Sequence, residues 1–203
     1  PFGERVTGVF ESEAGPVEIR NGSPGTDDLV AWAFDKFTLA GLPAPTVSAI
    51  RFDPFDERCE DARGYATWAD GTTEILLCFD SAGIGPPQPI DLDDPTAEAD
   101  PAPTPPRGHL LLHELGHAWV VSHTDQATRQ TLTSQVGASS WNNKRDAWED
   151  RGAEWAAETI AWGLSDPAGT PIGQVHADLA GRADTEPKVG CGHFEGVVSR
   201  FSH

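Results

Sequence analysis

The sequence predicts an α+β fold, with an N-terminal twisted, mostly antiparallel sheet and one helix, followed by a helical part. Two observations carry this prediction. Short segments that alternate apolar and polar residues, separated by turns, fill the first 79 residues. Longer segments with apolar residues at helical spacing follow residue 106. Strands and helices that are segregated along the chain are typical of the α+β class.

The first part of the chain contains a hairpin, one helix and three further strands. Residues 6–19 alternate apolar and polar residues around a Gly-Pro turn, which predicts the hairpin. A helix is predicted to begin near Thr26 and to end at about Ala40, because Gly41 stops it. The predicted strands that follow are 47–52, Tyr65–Trp68 and Thr73–Phe79, the last two joined by an Asp-Gly turn.

The second part begins with a long loop and continues as helices. Residues 80–106 hold eight of the 17 prolines, together with several acidic residues, which predicts an irregular loop. After this loop the apolar spacing is helical. The predicted helices are 107–123, 125–136, 145–164 and a shorter one at 171–182.

Length and charge limit the organisation and the partners. With 203 residues, the chain fits a single domain, 1–203, composed of a sheet-rich part (1–79), the loop (80–106) and a helical part (107–203). A hydrophobic content of 38% is enough for a packed core. The formal net charge of −18 repels nucleic acid and anionic membranes. We therefore expect a monomer that binds neither of them.

The three cysteines give information about the redox environment of the protein. Cys59 and Cys78 flank the two strands of the Asp-Gly hairpin, and a bridge between them would close a loop of about 20 residues. This bridge predicts an oxidising environment, and we expect a secreted or extracytoplasmic protein. Cys191 has no evident partner. The chain starts with Pro1, has no signal peptide and contains no methionine, which indicates a mature or trimmed fragment.

The segment HELGHAWVVSH, residues 113–123, predicts a metal site. His113 and His117 are four residues apart, so on a helix both imidazoles project from one face and can take two positions around Zn²⁺. Glu114 flanks the metal without being forced to ligate it, and it can accept a proton from a metal-bound water. Burial of two unpaired histidines and a glutamate on so apolar a helix would otherwise be costly.

The third ligand has two candidates. His123 stands ten residues after His113, but Val120 occupies the position where a glycine would let the helix break and His123 return to the metal. The other candidate is Glu154, on the helix RGAEWAAETIAWGL. Glu158, one turn further on, would then accept the ring N–H of a ligand histidine. We expect His113, His117 and Glu154 to bind the metal.

The two motifs together resemble the gluzincin zinc metallopeptidases. H-E-x-x-H followed by Glu154, Ala157, Glu158, Ile160 and Ala161 is similar to thermolysin-like and minigluzincin catalytic domains, and to small uncharacterised actinobacterial metallopeptidase-like proteins. The resemblance implies one catalytic Zn²⁺ on an active-site helix and a second ligand-bearing helix. It also implies peptide-bond hydrolysis of a peptide or protein substrate, more as an endopeptidase than as an exopeptidase, with Glu114 as general base.

The same resemblance implies two further parts of the site. Gluzincins hold the substrate backbone on an edge strand, for which Thr73–Phe79 is the candidate. They also supply an oxyanion donor from outside the two motifs. His176 is the preferred candidate for that catalytic role, and Tyr65 and His193 are alternatives. His109, one turn before the first ligand, could line the cleft.

Two alternatives from other functional classes remain open at this point. One is a metal-bearing protein-binding or regulatory module with little turnover. The other is an amidase that acts on a cell-wall or other non-protein amide. Glu114 favours an enzyme, because a structural zinc site does not need a base and is usually closed by four protein ligands.

Overall fold

The computed structural model describes residues 4–60, 63–69, 71–79 and 107–165. A five-stranded sheet and four helices in these ranges confirm the predicted α+β class. The predicted helix at 171–182 lies outside the described residues, as do His176, Cys191 and His193. The strands are β1 (Val6–Ser12), β2 (Gly15–Arg20), β3 (Ala49–Phe52), β4 (Gly64–Ala69) and β5 (Thr72–Leu77). The helices are α1 (Thr26–Leu39), α2 (Arg107–His123), α3 (Gln126–Gln135) and α4 (Gly152–Ser165).

The sheet has the order β1-β2-β3-β5-β4 and is mixed rather than mostly antiparallel. Two antiparallel hairpins, β1–β2 and β4–β5, each place one strand beside β3, and both of these contacts are parallel. α1 supplies the crossover that the parallel β2–β3 pair requires. The predicted edge strand is therefore wrong: β5 is paired on both sides, and the edge strand of this hairpin is β4.

The core lies between one face of the sheet and the helices. Alternate residues of β2 are fully buried while their neighbours face outward, as expected for a strand with one covered face. Trp119 of α2 is also buried, and its ring N–H donates to the carbonyl of Pro43. The largest fully buried apolar side chains of this core are Val17, Ile19, Val30, Phe37, Ile50, Ile75, Leu77, Leu111, Leu112, Leu115 and Trp119.

The last described helix starts later than the sequence predicts. A 3₁₀ turn covers Trp148–Asp150, Arg151 is extended, and α4 begins only at Gly152. The reason is a tertiary contact, because the N–H of Gly152 donates to the carbonyl of Ser140. This contact sets the position from which α4 runs back along α2.

The outer face of the sheet carries a disulfide. Cys59 and Cys78 are joined, with their Cα atoms 5.4 Å apart, and they pack against Leu76 and Tyr65. The tyrosine hydroxyl donates to the carbonyl of Arg58 at 2.7 Å, so it belongs to this cluster. The bridge ties the segment before β4 to the end of β5 and secures the edge of the sheet.

Replacing both Cys59 and Cys78 by serine is expected to lower the free energy of unfolding by roughly 3 kcal/mol, because the 19-residue separation would no longer constrain the unfolded chain. Urea unfolding followed by tryptophan fluorescence measures the change. Wild type unfolded with a reductant should match the double variant. An unchanged unfolding midpoint would mean that the bridge contributes nothing to stability.

Candidate metal centre

Helices α2 and α4 form the site as an antiparallel pair. Their close approach depends on Gly116, where a Cβ would lie 2.9 Å from the carbonyl oxygen of Ala157 and 3.0 Å from its Cα. A glycine inside a helix costs about 1 kcal/mol relative to alanine. The short distance between the backbones of α2 and α4 therefore explains why a glycine occupies position 116. The glycine brings the histidine face of α2 within reach of the glutamates of α4.

Gly116→Ala is expected to destabilise the protein by about 1 to 3 kcal/mol, because one added methyl group forces the two helix backbones apart. Helix propensity alone predicts the opposite sign, since alanine is the better helix former. The sign of the change in urea unfolding therefore separates the two effects. A stabilised variant would contradict the tight α2–α4 contact.

The predicted ligands His113, His117 and Glu154 come together between these helices. Among the described residues they form the cluster whose side-chain donor atoms lie within 4.8 Å of one another. Nε2 of His113 is 3.3 Å from Oε2 of Glu154, and Nε2 of His117 is 3.1 Å from the same oxygen. In a tetrahedral zinc site with bonds of 2.0–2.1 Å, neighbouring ligand atoms are roughly 3.3 Å apart. The spacing and the donor types therefore fit a metal ion.

Glu158 lies behind the first ligand. Its side chain is fully buried, and its Oε2 accepts a hydrogen bond from Nδ1 of His113 at 3.0 Å. This contact leaves Nε2 of His113 facing Glu154 and His117. A carboxylate on the far nitrogen is the arrangement that orients histidines in metal sites.

Burial and charge shift the protonation of the cluster. Burial opposes ionisation of Glu154, but its hydrogen bonds with His113 and His117 hold its pKa well below the usual range. Burial likewise opposes the charge on His113, but Glu154 and Glu158 raise its pKa to about 10. Without a metal, the fold thus retains a proton on the first ligand. A metal ion would replace that proton between the same carboxylates.

Glu114, the predicted catalytic base, is buried beside the cluster. Burial raises the pKa of its carboxyl group, against the attraction of His113 and His117. The carboxylate also contacts the edge strand, since a Cβ at Gly64 of β4 would lie 2.5 Å from its Oε1. The glycine thus makes room for this side chain between α2 and β4.

The other sequence candidates lie elsewhere. His123 turns away from the cluster: its ring stacks on Trp119, and its Nδ1 lies 3.0 Å from the Trp119 carbonyl oxygen. Tyr65 is engaged with Arg58 on the outer face of the sheet. His176, the preferred oxyanion donor, and His193 are outside the described residues.

Two contacts were not anticipated from the sequence. The ring of Trp148 stacks on His113, with centroids 6.1 Å apart and an interplanar angle of 26°. His109 bonds the second oxygen of Glu158, with its Nε2 2.9 Å from Oε1. The spacing of His109, His113 and His117, four residues each, could have indicated the second contact. No local pattern indicates the first, because Trp148 precedes α4 in a 3₁₀ turn.

The chain is similar to a curated protein of the genus Kineococcus. It is 32% identical over 131 residues to the ferric nitrobindin-like protein of Kineococcus radiotolerans, and the match covers 59% of this chain and 72% of the relative. No protein-family model matches the chain. No solved structure matches it either.

This relationship contradicts the gluzincin resemblance and the function inferred from it. The predicted assignment to zinc metallopeptidases, with peptide-bond hydrolysis and the description as a hydrolase, is wrong, because the relative is a ferric nitrobindin-like protein and not a metallopeptidase. The physical reason is that H-E-x-x-H with a downstream glutamate specifies the placement of metal donors. It does not specify the reaction, since one donor set serves several functions. On this sequence evidence, the chain belongs to the ferric nitrobindin-like protein family.

Proposed function

We propose that the protein binds one divalent metal ion through His113, His117 and Glu154, and that a small ligand binds at the position on the metal that these side chains leave open. The observation that carries this proposal is the convergence of both Nε2 atoms on one oxygen of Glu154, at 3.3 and 3.1 Å. Three protein ligands leave at least one position for water or another molecule.

Zinc is the first ion to test. Two imidazoles and one carboxylate are common zinc ligands, and the distances of 3.3 and 3.1 Å from Oε2 of Glu154 to the two Nε2 atoms suit neighbouring ligands of a tetrahedral ion. Iron is the second candidate, since the printed name of the relative refers to ferric iron. A set of two histidines and one carboxylate with open positions also suits non-haem iron.

The protein's own groups would shape the small-ligand position. Glu158 fixes the ring of His113, so that Nε2 is presented to the metal. Glu114 has a carboxyl group beside the cluster that can exchange a hydrogen bond with a metal-bound molecule. The metal, when bound, supplies a Lewis acid that polarises its ligand. The other partner expectations, a monomer in an extracytoplasmic setting without nucleic acid or membrane, remain predictions.

Within the part of the chain that the structure describes, no helix combines the length and the apolar character that a membrane crossing needs.

The test is a calorimetric titration of metal-free protein with zinc and, under anaerobic conditions, with ferrous iron. We expect one ion per chain for wild type and a loss of binding in His117→Ala. His123→Ala is the matched control on the same helix, and it should bind as wild type does. Equal binding by His117→Ala and wild type, or the absence of binding to either metal, would contradict the proposed site.

Ligand access is tested on the cobalt-substituted protein. Co²⁺ replaces zinc in such sites and reports its coordination through visible absorption. Addition of azide, a small anionic ligand, should change that spectrum if a position is open. A spectrum that does not respond to azide or to a neutral ligand such as imidazole would contradict the small-ligand part of the proposal.

A further inference from the structure

The contacts between α2 and α4 form a ladder in which each carboxylate is shared by two histidines. Glu154 lies between His117 and His113, and Glu158 lies between His113 and His109. The ladder ends at Ser165, whose Oγ is 3.3 Å from Nδ1 of His109. Only the first three-residue group has the geometry of a metal cluster among the described residues. His109 therefore has a different task.

At this end of the ladder, the ring of His109 lies between the hydroxyl group of Ser165 and the carboxylate of Glu158. The hydroxyl of Ser165 donates to the carbonyl of Ala161 at 2.7 Å, and its oxygen lies 3.3 Å from Nδ1 of His109. On the other side, Nε2 of His109 lies 2.9 Å from Oε1 of Glu158, and the other oxygen of this carboxylate lies 3.0 Å from Nδ1 of His113. A carboxylate oxygen is an acceptor, so in this contact Nε2–H of His109 donates to Oε1 of Glu158.

This arrangement leaves Glu158 dependent on His109. The carboxylate has no exposed surface, and one of its two oxygens is bonded to Nε2 of His109. An unpaired charge at such a site is costly. Without His109, one oxygen of Glu158 would lose its hydrogen bond, and a turn of the side chain toward another donor would weaken its bond with Nδ1–H of His113. The first ligand would then lose the contact that selects its tautomer.

We propose that His109 is a positioning residue for the metal site: by donating to Glu158, it holds the carboxylate that keeps Nε2 of His113 free for the metal. This inference rests on the proposed metal-binding function and deepens it, since it assigns a role to a residue outside the group of metal ligands. The role acts through two hydrogen bonds in series, His109 to Glu158 and Glu158 to His113.

Three variants at one position test the role. The amide nitrogen of His109→Gln reaches approximately the place of Nε2 and can still donate to Glu158. His109→Asn reaches the place of Nδ1 and cannot, and His109→Leu donates nothing. We expect zinc affinity at pH 7, from competition with a chromophoric chelator, to fall by about 10- to 100-fold in the Asn and Leu variants. The Gln variant should stay within about threefold of wild type.

A spectroscopic readout separates positioning from mere packing. In zinc-loaded wild type and His109→Gln, ¹⁵N NMR should show Nδ1 of His113 protonated and Nε2 unprotonated, and this pattern should be lost or mixed in His109→Asn. Thermal unfolding of the metal-free variants reports any general loss of structure. His123→Leu, on the same helix and bonded to Trp119 instead, is the matched control.

The outcomes separate this inference from the function on which it rests. If wild type binds zinc and the Asn and Leu variants bind equally well with an unchanged His113 tautomer, the positioning role of His109 is overturned and the metal site stands. If the Gln variant loses affinity as fully as Leu does, donation to Glu158 is not the cause, and the inference also falls. If wild type binds neither zinc nor iron, the proposed function itself is wrong.

Discussion

Glu154→Ala is expected to weaken zinc binding by about a hundredfold or more, because it removes the anionic ligand and leaves two imidazoles without a third donor. Substitution of a residue that merely orients a ligand already costs about 10- to 100-fold. The loss of a direct ligand should not be smaller. Glu154 is also the residue on which both histidine nitrogens converge, at 3.3 and 3.1 Å. No other single change should affect the site as strongly.

The measurement is zinc affinity by competition with a chelator, with metal content by elemental analysis. Glu154→Gln keeps the shape of the side chain and removes its charge, so its comparison with the alanine variant separates the two contributions. Glu74→Ala is the control, since Glu74 is exposed on β5 and pairs with Arg20 on the outer face. Full zinc binding by Glu154→Ala would place the third ligand elsewhere.

Zinc affinity is expected to rise about tenfold per pH unit between pH 6 and 8, because His113 must lose a proton before its Nε2 can bind a metal. Its pKa, raised to about 10 by Glu154 and Glu158, exceeds the whole of this range. Almost every metal-free molecule therefore holds that proton, and its displacement is part of each binding event. A lower pH therefore favours the protonated, metal-free form, and a higher pH favours metal binding.

Calorimetry in two buffers with different ionisation enthalpies should detect the release of about one proton from His113 per zinc ion at pH 7. Glu158→Gln provides the comparison, because loss of one of the two carboxylates should lower the pKa of His113 and reduce the release near pH 8. An affinity that does not change between pH 6 and 8 would show that the metal does not compete with a proton on His113.

The parts of the fold that depend on local pattern were predictable from the sequence. Helix α2 was predicted at residues 107–123 and is observed at Arg107–His123, because its apolar spacing is continuous. The strands β4 and β5 were found within two residues at each end, because an Asp-Gly turn separates them. Periodicity and turn residues act within one element, so one sequence is sufficient to find them.

The parts that depend on distant contacts were not predictable. β3 joins two hairpins through parallel pairing, and nothing in its four residues specifies which strands lie on either side. The start of α4 depends on a hydrogen bond between Gly152 and Ser140. The stacking of Trp148 on His113 likewise brings together two elements that are 35 residues apart in sequence.

In the site, too, the placement of the donor residues could be predicted from the sequence, whereas the reaction could not. A spacing of four residues on a helix places His113 and His117 on one face, and a second helix with Glu154 and Glu158 completes the predicted group. These are consequences of helix geometry. Peptide hydrolysis is not such a consequence, since it depends on how a substrate is held. The motif therefore led to the wrong family, although its residues do lie together.

The disulfide and a metal ion in the candidate site would be removed by different chemical treatments. The bridge fastens two points 19 residues apart in the sheet, and a metal between His113 and Glu154 would fasten two points 41 residues apart across the helices. The disulfide persists in the unfolded chain and restricts it, whereas a metal held by the folded site would stabilise the fold through its binding free energy. A reductant would break the link between Cys59 and Cys78, and a chelator would remove the link between helices α2 and α4.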